Sequence, residues 1–271
     1  MGKIQVLIAT MHQEDYSLLD KMNIVTDAVV INQCDKENRK EFIFKGNKIL
    51  WIDSKNRGLS NSRNLAIENS WCDYCLISDD DMIYNDDYIS IVDKAFKTEP
   101  QASIIAFKVM GIESDGIERS YKNYANYNFK VGYLKSMKIS SVEIAFKREK
   151  IIEKRLKFDN RIGAGTKFLM GEESAFLFHA IRMNLNIFYF PEIIAKIHIG
   201  NSTWFKGYND EYFIGKGAAF EAMETPFTNL LIFQFAIRKY RLYSKNVSFL
   251  NSIKSMLKGK KEYLLEKAKD K

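Results

Sequence analysis

Short apolar runs and stretches of helical period alternate along the first 200 residues. Lys3–Thr10 (KIQVLIAT), Asp27–Asn32 (DAVVIN), Lys48–Ile52, Tyr74–Ser78 and Ser103–Val109 are apolar runs of strand length. Between them, Glu14–Met22, the loop and helix from Arg57 to Ser70, and Asp86–Lys97 read as helical; in the last, Ile89, Val92 and Phe96 share one face. Glu41–Phe44 adds a small strand. Further on, Ser140–Lys147 alternates as a strand, Ser174–Asn184 is a helix, and Asn186–Phe190, closed by Pro191, and Ala195–Ile199 are strands. The stretch Gly111–Lys138, with Tyr121, Tyr124, Tyr127 and Tyr133, fits an exposed hairpin whose rings also suit sugar stacking. Strands alternating with helices predict an α/β chain built on a doubly wound, mostly parallel, Rossmann-like sheet. Ligands of such sheets bind beyond the carboxyl ends of the strands. Thr10, Asp35, Asp53 and Asp79–Asp81 all fall at such ends.

From Thr228 the pattern becomes that of an amphipathic helical tail. Leu230, Leu231, Phe233, Phe235 and Ile237 stand beside Arg238, Lys239 and Arg241. Phe249, Ile253, Met256 and Leu257 recur at helical spacing among Lys254, Lys258, Lys260 and Lys261. The division expected is 1–225 for the α/β domain and 226–271 for the tail.

Charge sharpens that division. The 271 residues carry a net +7. Residues 238–271 hold 11 Lys and Arg against 3 Asp and Glu, whereas the remainder holds 30 basic and 31 acidic residues. The body is nearly neutral, so the charge belongs to a partner of the tail. Basic and apolar residues together suit the surface of an anionic membrane. No recognised nucleic-acid module accompanies them, and nucleic acid is not expected as a partner. Met1-Gly2-Lys3 runs straight into a strand, no apolar run approaches transmembrane length, and three cysteines fit a reducing compartment. A cytoplasmic protein, peripheral on the inner face of the cell membrane, is the expectation.

The chemistry concentrates in GLSNSRNLAIENSWCDYCLISDDD, Gly58 to Asp81. A polar loop enters a helix, and a short apolar strand then ends in three carboxylates. Adjacent carboxylates repel one another, and a cation is the natural compensation. Along a strand Asp79 and Asp81 project to one side and Asp80 to the other. Oxygen ligands suit Mg²⁺ or Mn²⁺, which commonly bridge to phosphates. Arg63 and the amides at its helix start suit a substrate anion.

These residues resemble family-2 glycosyltransferases of GT-A fold, which carry a G-x-S-x-x-R-N segment followed by a strand ending in an Asp-x-Asp metal site. The resemblance spans roughly residues 3–205. It implies that Thr10, Asp35, Gly58, Arg63, Asn64 and Asp80 contact the nucleotide sugar, a UDP-sugar above all, and that Asp79 and Asp81 hold Mn²⁺ or Mg²⁺. Phe158-Asp159-Asn160-Arg161-Ile162-Gly163-Ala164-Gly165 resembles the family's F-D-x-x-F/I-G-x-G segment. Gly171-Glu172-Glu173 stands where the family places its Glu-Asp pair, which implies Glu173 as general base, with Glu172 as the alternative. His198 takes the place of a late metal-binding His, and Trp204 is a candidate platform for an acceptor sugar. The implied activity is inverting hexosyl or N-acetylhexosaminyl transfer to a saccharide or lipid-linked saccharide, as in capsular or cell-envelope polysaccharide biosynthesis. A nucleotidyltransferase is the enzymatic rival, but Ala9-Thr10-Met11-His12-Gln13 lacks the Gly and Lys such enzymes carry after the first strand. A non-catalytic nucleotide- or membrane-binding protein is the third reading.

Overall fold

The structure, a computed structural model, describes residues 2–113, 115–120, 122–198, 205 and 207–269. Its elements in chain order begin with β1 (Ile4–Met11), α1 (Leu18–Lys21), β2 (Asp27–Gln33), β3 (Asn38–Phe44), β4 (Asn47–Ser54), α2 (Leu59–Glu68) and β5 (Tyr74–Asp79). There follow β6 (Met82–Tyr84), α3 (Tyr88–Thr98), β7 (Ile104–Ile112), β8 (Glu118–Arg119), β9 (Phe129–Lys130), α4 (Tyr133–Ser136), β10 (Ile144–Lys147) and α5 (Arg148–Glu153). The chain closes with α6 (Glu172–Arg182), β11 (Ile187–His198), α7 (Asp210–Ala222), α8 (Thr228–Tyr243) and α9 (Phe249–Lys269).

One sheet runs β3-β4-β2-β1-β5-β10-β7-β11-β6. Strands β4, β2, β1 and β5 are mutually parallel, with Val6 of β1 opposite Ala28 of β2 and Leu76 of β5. Both faces of these strands are covered, which is why β1 is a continuous apolar run and is buried from Ile4 to Thr10. The far half is mixed: β10 is antiparallel to β5 and β7, β11 is parallel to β7, and β6 is antiparallel to β11.

Four local expectations change. Helix α1 is confined to Leu18–Lys21, because Asp15 turns the chain ahead of it, accepting the Ser17 N–H at 2.9 Å. Ser140–Lys147 splits into a 3-10 turn over Ser141–Glu143 and then β10. The turn buries Glu143, which accepts from Lys122 at 2.7 Å and from the Tyr124 hydroxyl at 2.6 Å. Those bonds, with β8 on β7 and β9 on β11, replace the free-standing hairpin expected over Gly111–Lys138. Strand β11 does not stop at Pro191. It continues through a register shift between Tyr189 and Ile193, an irregularity of the kind that accommodates a residue with no N–H to give.

By contacts the chain divides into two compact units. The first holds Met1–Arg57, Asn61–Lys157 and Ala180–Asn201 and contains the sheet. Its core includes Val6, Ile8, Val30, Trp51, Leu76, Phe107 and Phe190. The second holds Gly58–Ser60, Phe158–His179 and Ser202–Lys271. Its core joins Ile162, Phe168 and Ala175 to Ala218 and Ala222 of α7 and Tyr263 of α9. Helices α7 and α9 meet backbone to backbone: a Cβ on Gly217 would lie 1.9 Å from the Met256 carbonyl oxygen, and one on Gly259 1.9 Å from that of Ile214.

Candidate functional site

In the first unit, the parallel strands deliver a polar cluster to their carboxyl ends. Asn32 is buried; its Nδ2 donates to Asp53 Oδ1 at 2.8 Å and to the Gln13 carbonyl at 3.0 Å, and its Oδ1 accepts the Gln13 N–H. Trp51 Nε1 donates to the same Asp53 oxygen at 2.9 Å, and Gln13 Nε2 donates to Thr10 Oγ1 at 3.1 Å. Thr10 in turn donates to Asp80 Oδ2 at 2.6 Å. Asp35 stands beside this cluster in sequence, exposed, and pairs with Arg57 at 2.5 Å.

The three carboxylates at the end of β5 have different partners. Asp79 accepts from Arg63 at 2.9 Å. Arg63 is only 2% exposed and also donates to Ser141 Oγ at 2.7 Å. Its guanidinium thus ties α2 to the end of β5, and Asn64 beside it is buried. Asp80 is held by Thr10, whereas Asp81 lies exposed one step beyond. Crowding by protein atoms, and then the charges of Asp79 and Asp80, push the Asp81 carboxyl up to about 6. A group in that state is short of positive charge.

His198 is the last residue of β11 and is exposed. The antiparallel register of β11 with β6 pairs Ala195 with Tyr84 and Ile197 with Met82. That pairing ends at Ile197 and Met82, so His198 and Asp81 each lie one residue beyond it. Among the described residues, no three His, Cys, Asp or Glu side chains already converge as a metal site. The carboxylates of Asp79, Asp80 and Asp81 offer the oxygen donors that suit a hard divalent cation. Trp204 lies outside the described residues. Cys72 and Cys75 are buried thiols pushed up to about 12, by desolvation first, so they offer no thiolate ligand.

In the second unit, glycines draw a loop tight around the start of α6. Gly58, Gly163, Gly165 and Gly171 all have positive φ. The Leu59 N–H donates to the Ala164 carbonyl at 2.9 Å, and Ser60 Oγ donates to the Ile162 carbonyl at 2.7 Å. A Cβ at Gly165 would stand 3.2 Å from the Gly58 Cα, and one at Gly163 3.2 Å from the Glu172 Cδ. Positive φ and close backbone approach together make glycine the residue for this loop. Glu172 is buried against it, and Glu173, next along α6, is half-buried.

Lys216 of α7 carries its ammonium 5.4 Å from the Phe220 ring centre and 5.3 Å from that of Phe235. Burial lowers its pKa, and the charge of Glu173 pulls it back up. Asp159, at the head of the same loop, accepts from Arg161 Nε at 2.7 Å and from the Tyr263 hydroxyl of α9. Burial alone would raise the Asp159 carboxyl, but its bonds from Arg161 and Tyr263 hold it below its ordinary value of 3.8.

The sequence had pointed to Thr10, Asp35, Arg63, Asn64 and Asp79–Asp81, and the first unit brings Thr10 and Arg63 to the carboxylates. It had not pointed to Gln13, Asn32 or Ser141, whose only signal was a polar residue at or near a strand end.

A two-unit α/β chain with an acid-tipped parallel sheet can be set beside known proteins. No curated protein sequence matches it. Among solved structures, S. aureus TarS 1-349 in complex with UDP superposes with a TM-score of 0.62 at 13% identity, covering 95% of this chain and 80% of that one. The complex of TarS 1-349 with UDP-GlcNAc gives a TM-score of 0.59, again at 13% identity, covering 95% of this chain and 81% of that one. Such distant likeness speaks for the fold, and the fold is GT-A. At the level of sequence, the model of glycosyl transferase family 2 matches residues 16–175, more than half of the chain, which includes α2, the carboxylates of β5 and both glutamates of α6. The chain therefore belongs to glycosyl transferase family 2.

Proposed function

We propose that the protein transfers a hexosyl or N-acetylhexosaminyl group from a UDP-sugar to a saccharide or lipid-linked saccharide, with inversion at the anomeric carbon and in dependence on Mn²⁺ or Mg²⁺. The observation that carries this reading is the run of carboxylates Asp79–Asp81 that closes β5, with Asp79 fixed by the buried Arg63. Asp81, Asp79 and His198 would hold the cation. When bound, that ion neutralises the charge of a diphosphate leaving group. Thr10, Gln13, Asn32, Asp53 and Asp80 form a bonded set suited to the base and ribose of a nucleotide. The complexes of TarS with UDP and with UDP-GlcNAc are consistent with that donor class. Asp35, exposed and paired with Arg57, would join the contacts to that nucleotide.

On α6, Glu173 is the residue we assign as general base, taking the proton of the acceptor hydroxyl as its oxygen attacks the anomeric carbon. Glu173 lies close enough to Lys216 of α7 for its charge to act on that buried ammonium. Glu172, buried against Gly163, then serves to hold the glycine loop, and remains the alternative base. Such an enzyme fits the cytoplasmic side of a cell membrane and the assembly of capsular or cell-envelope polysaccharide. Among the described residues no helix is long and apolar enough to cross a membrane. The test is a screen of nucleotide sugars for donor hydrolysis with Mn²⁺, with Mg²⁺ and with chelator. Turnover of a UDP-sugar that vanishes on chelation supports the reading; absence of turnover with every donor refutes it.

A further inference from the structure

Helix α8 is apolar on two faces. The inner one, Leu231, Ile232, Phe235 and Ala236, is buried. The outer one carries Leu230, Phe233, Ile237 and Tyr240, spaced i, i+3, i+7 and i+10, and each is between 44% and 66% exposed. Successive members of such a series lie on one side of a helix. Soluble surfaces tolerate single exposed apolar side chains, but a continuous stripe of four large ones marks a contact surface.

The charge around the stripe says what it contacts. Between Glu224 and Glu262 the sequence contains no acidic residue and eight Lys and Arg. At about 100° per residue, Arg238 and Arg241 fall along one edge of the stripe, and Lys245 follows the end of the helix. All three are exposed, and none has an acidic partner among the described residues. On α9, Leu250, Leu257 and Leu264 recur every seven residues on an exposed face, with Lys254 and Lys261 between them. Those two lysines likewise lack an acidic partner among the described residues.

We infer that the outer face of α8 is a docking surface for an anionic lipid bilayer. The stripe would enter the boundary between headgroups and acyl chains, while Arg238, Arg241 and Lys245 meet lipid phosphates. A second copy of the chain fits poorly, because two such faces would bring cations together with no carboxylate to pair them. A nucleic acid backbone would satisfy the cations but leave Leu230, Phe233 and Ile237 in water. The inference deepens the acceptor half of the reading above, since a lipid-linked acceptor is met at a bilayer.

The experiment uses the full chain and vesicles of phosphatidylcholine, alone or with about one third phosphatidylglycerol, in co-sedimentation at low and high salt. Wild type is expected to bind the anionic vesicles at low salt and to be released by high salt. Each basic residue near an anionic surface is worth about fivefold in affinity, so Arg238→Gln/Arg241→Gln/Lys245→Gln together should weaken binding by roughly 100-fold. Leu230→Ser/Ile237→Ser should weaken it at constant charge, by loss of insertion. Circular dichroism checks that both variants keep their helices, and donor hydrolysis by both should match wild type, because none of these residues is placed in the transfer machinery. The inference is overturned if wild type ignores anionic vesicles at low salt, or if both variants bind as wild type does. It is also overturned if light scattering shows a dimer that Leu230→Ser/Ile237→Ser abolishes, since the stripe would then be a self-interface. Lipid binding with no donor hydrolysis would instead sink the glycosyl-transfer reading and leave the surface standing.

Discussion

At the scale of single residues, the three carboxylates after Ser78 are distinguished by what each already holds. Asp79 has Arg63, Asp80 has Thr10, and Asp81 carries the raised pKa. A carboxyl raised in the folded state weighs against folding once it ionises. Asp81→Asn should therefore raise the melting temperature at pH 8, above the folded value of about 6, and leave it unchanged near pH 4, where Asp81 keeps its proton in the fold. The same substitution, or Asp81→Ala, should abolish Mn²⁺-dependent nucleotide binding, measured by calorimetry. Because a proton and a cation compete for this group, Mn²⁺ affinity in the wild type should fall about tenfold between pH 7.5 and pH 5. A flat profile would remove Asp81 from the metal site. Glu173→Gln should keep donor binding and lose transfer by roughly 10²-fold or more, the scale of a lost general base; near-normal turnover would move that role to Glu172. The Asp79–Asp81 run and Arg63 were legible in the sequence because each stands in a distinctive short segment, three acids in succession and a basic helix start 16 residues before the first of them. Asn32 and Gln13 were not. A polar residue near a strand end is commonplace until the register sets it beside Asp53 and Thr10.

At the scale of elements, the parallel strands were legible because a strand buried on both faces has to be apolar throughout. The passage of β11 across Pro191 was not. A proline ends most strands, and only the register shift between Tyr189 and Ile193 lets this one continue. The tail helices were legible as amphipathic, but their orientation was not. Leu230 and Leu231 are neighbours, one exposed and the other buried, and with apolar residues on two faces of α8 the pattern alone cannot say which face is the core. What the structure adds is that α9 is integral to the second unit. Gly259→Ala would drive a methyl into the Ile214 carbonyl, so the helices must part. A destabilisation of about 3 kcal/mol is expected, of the order found for overpacked cores, read as a lower denaturant midpoint. Asp159, bonded to Arg161 and to Tyr263, ties α9 to the glycine loop. Its lowered pKa means that its contribution is complete above 3.8 and is lost as the pH falls below it. Asp159→Asn should accordingly destabilise the protein by about 2 kcal/mol at pH 7, and the gap from wild type should narrow by pH 3.

At the scale of the whole molecule, the first unit holds the polar cluster at the strand ends and the second the glutamates of α6. A ligand that binds only the folded state stabilises what it binds, by about 2.7 kcal/mol at one hundred times its dissociation constant. If the strand-end cluster of the first unit takes a nucleotide, UDP with Mn²⁺ should raise the thermal midpoint of that unit by roughly 5–10 °C, whereas UDP with chelator should raise it less. Trp51 gives a local reporter, since its indole N–H is bonded to Asp53 in the cluster. Its fluorescence, followed in a Trp71→Phe/Trp204→Phe background, should respond to UDP and follow the unfolding of the first unit. ADP and GDP, with bulkier purine bases, should shift the midpoint less than UDP does. Asn32→Ala should narrow that preference without removing the Mn²⁺ effect, because Asn32 fixes Gln13 and Asp53 and not the carboxylates of β5. Equal shifts from all three nucleotides would mean that this cluster does not read the base. A UDP shift indifferent to Mn²⁺ would mean that the nucleotide is held without Asp79 and Asp81, and the metal-dependent form of the reaction would have to be given up.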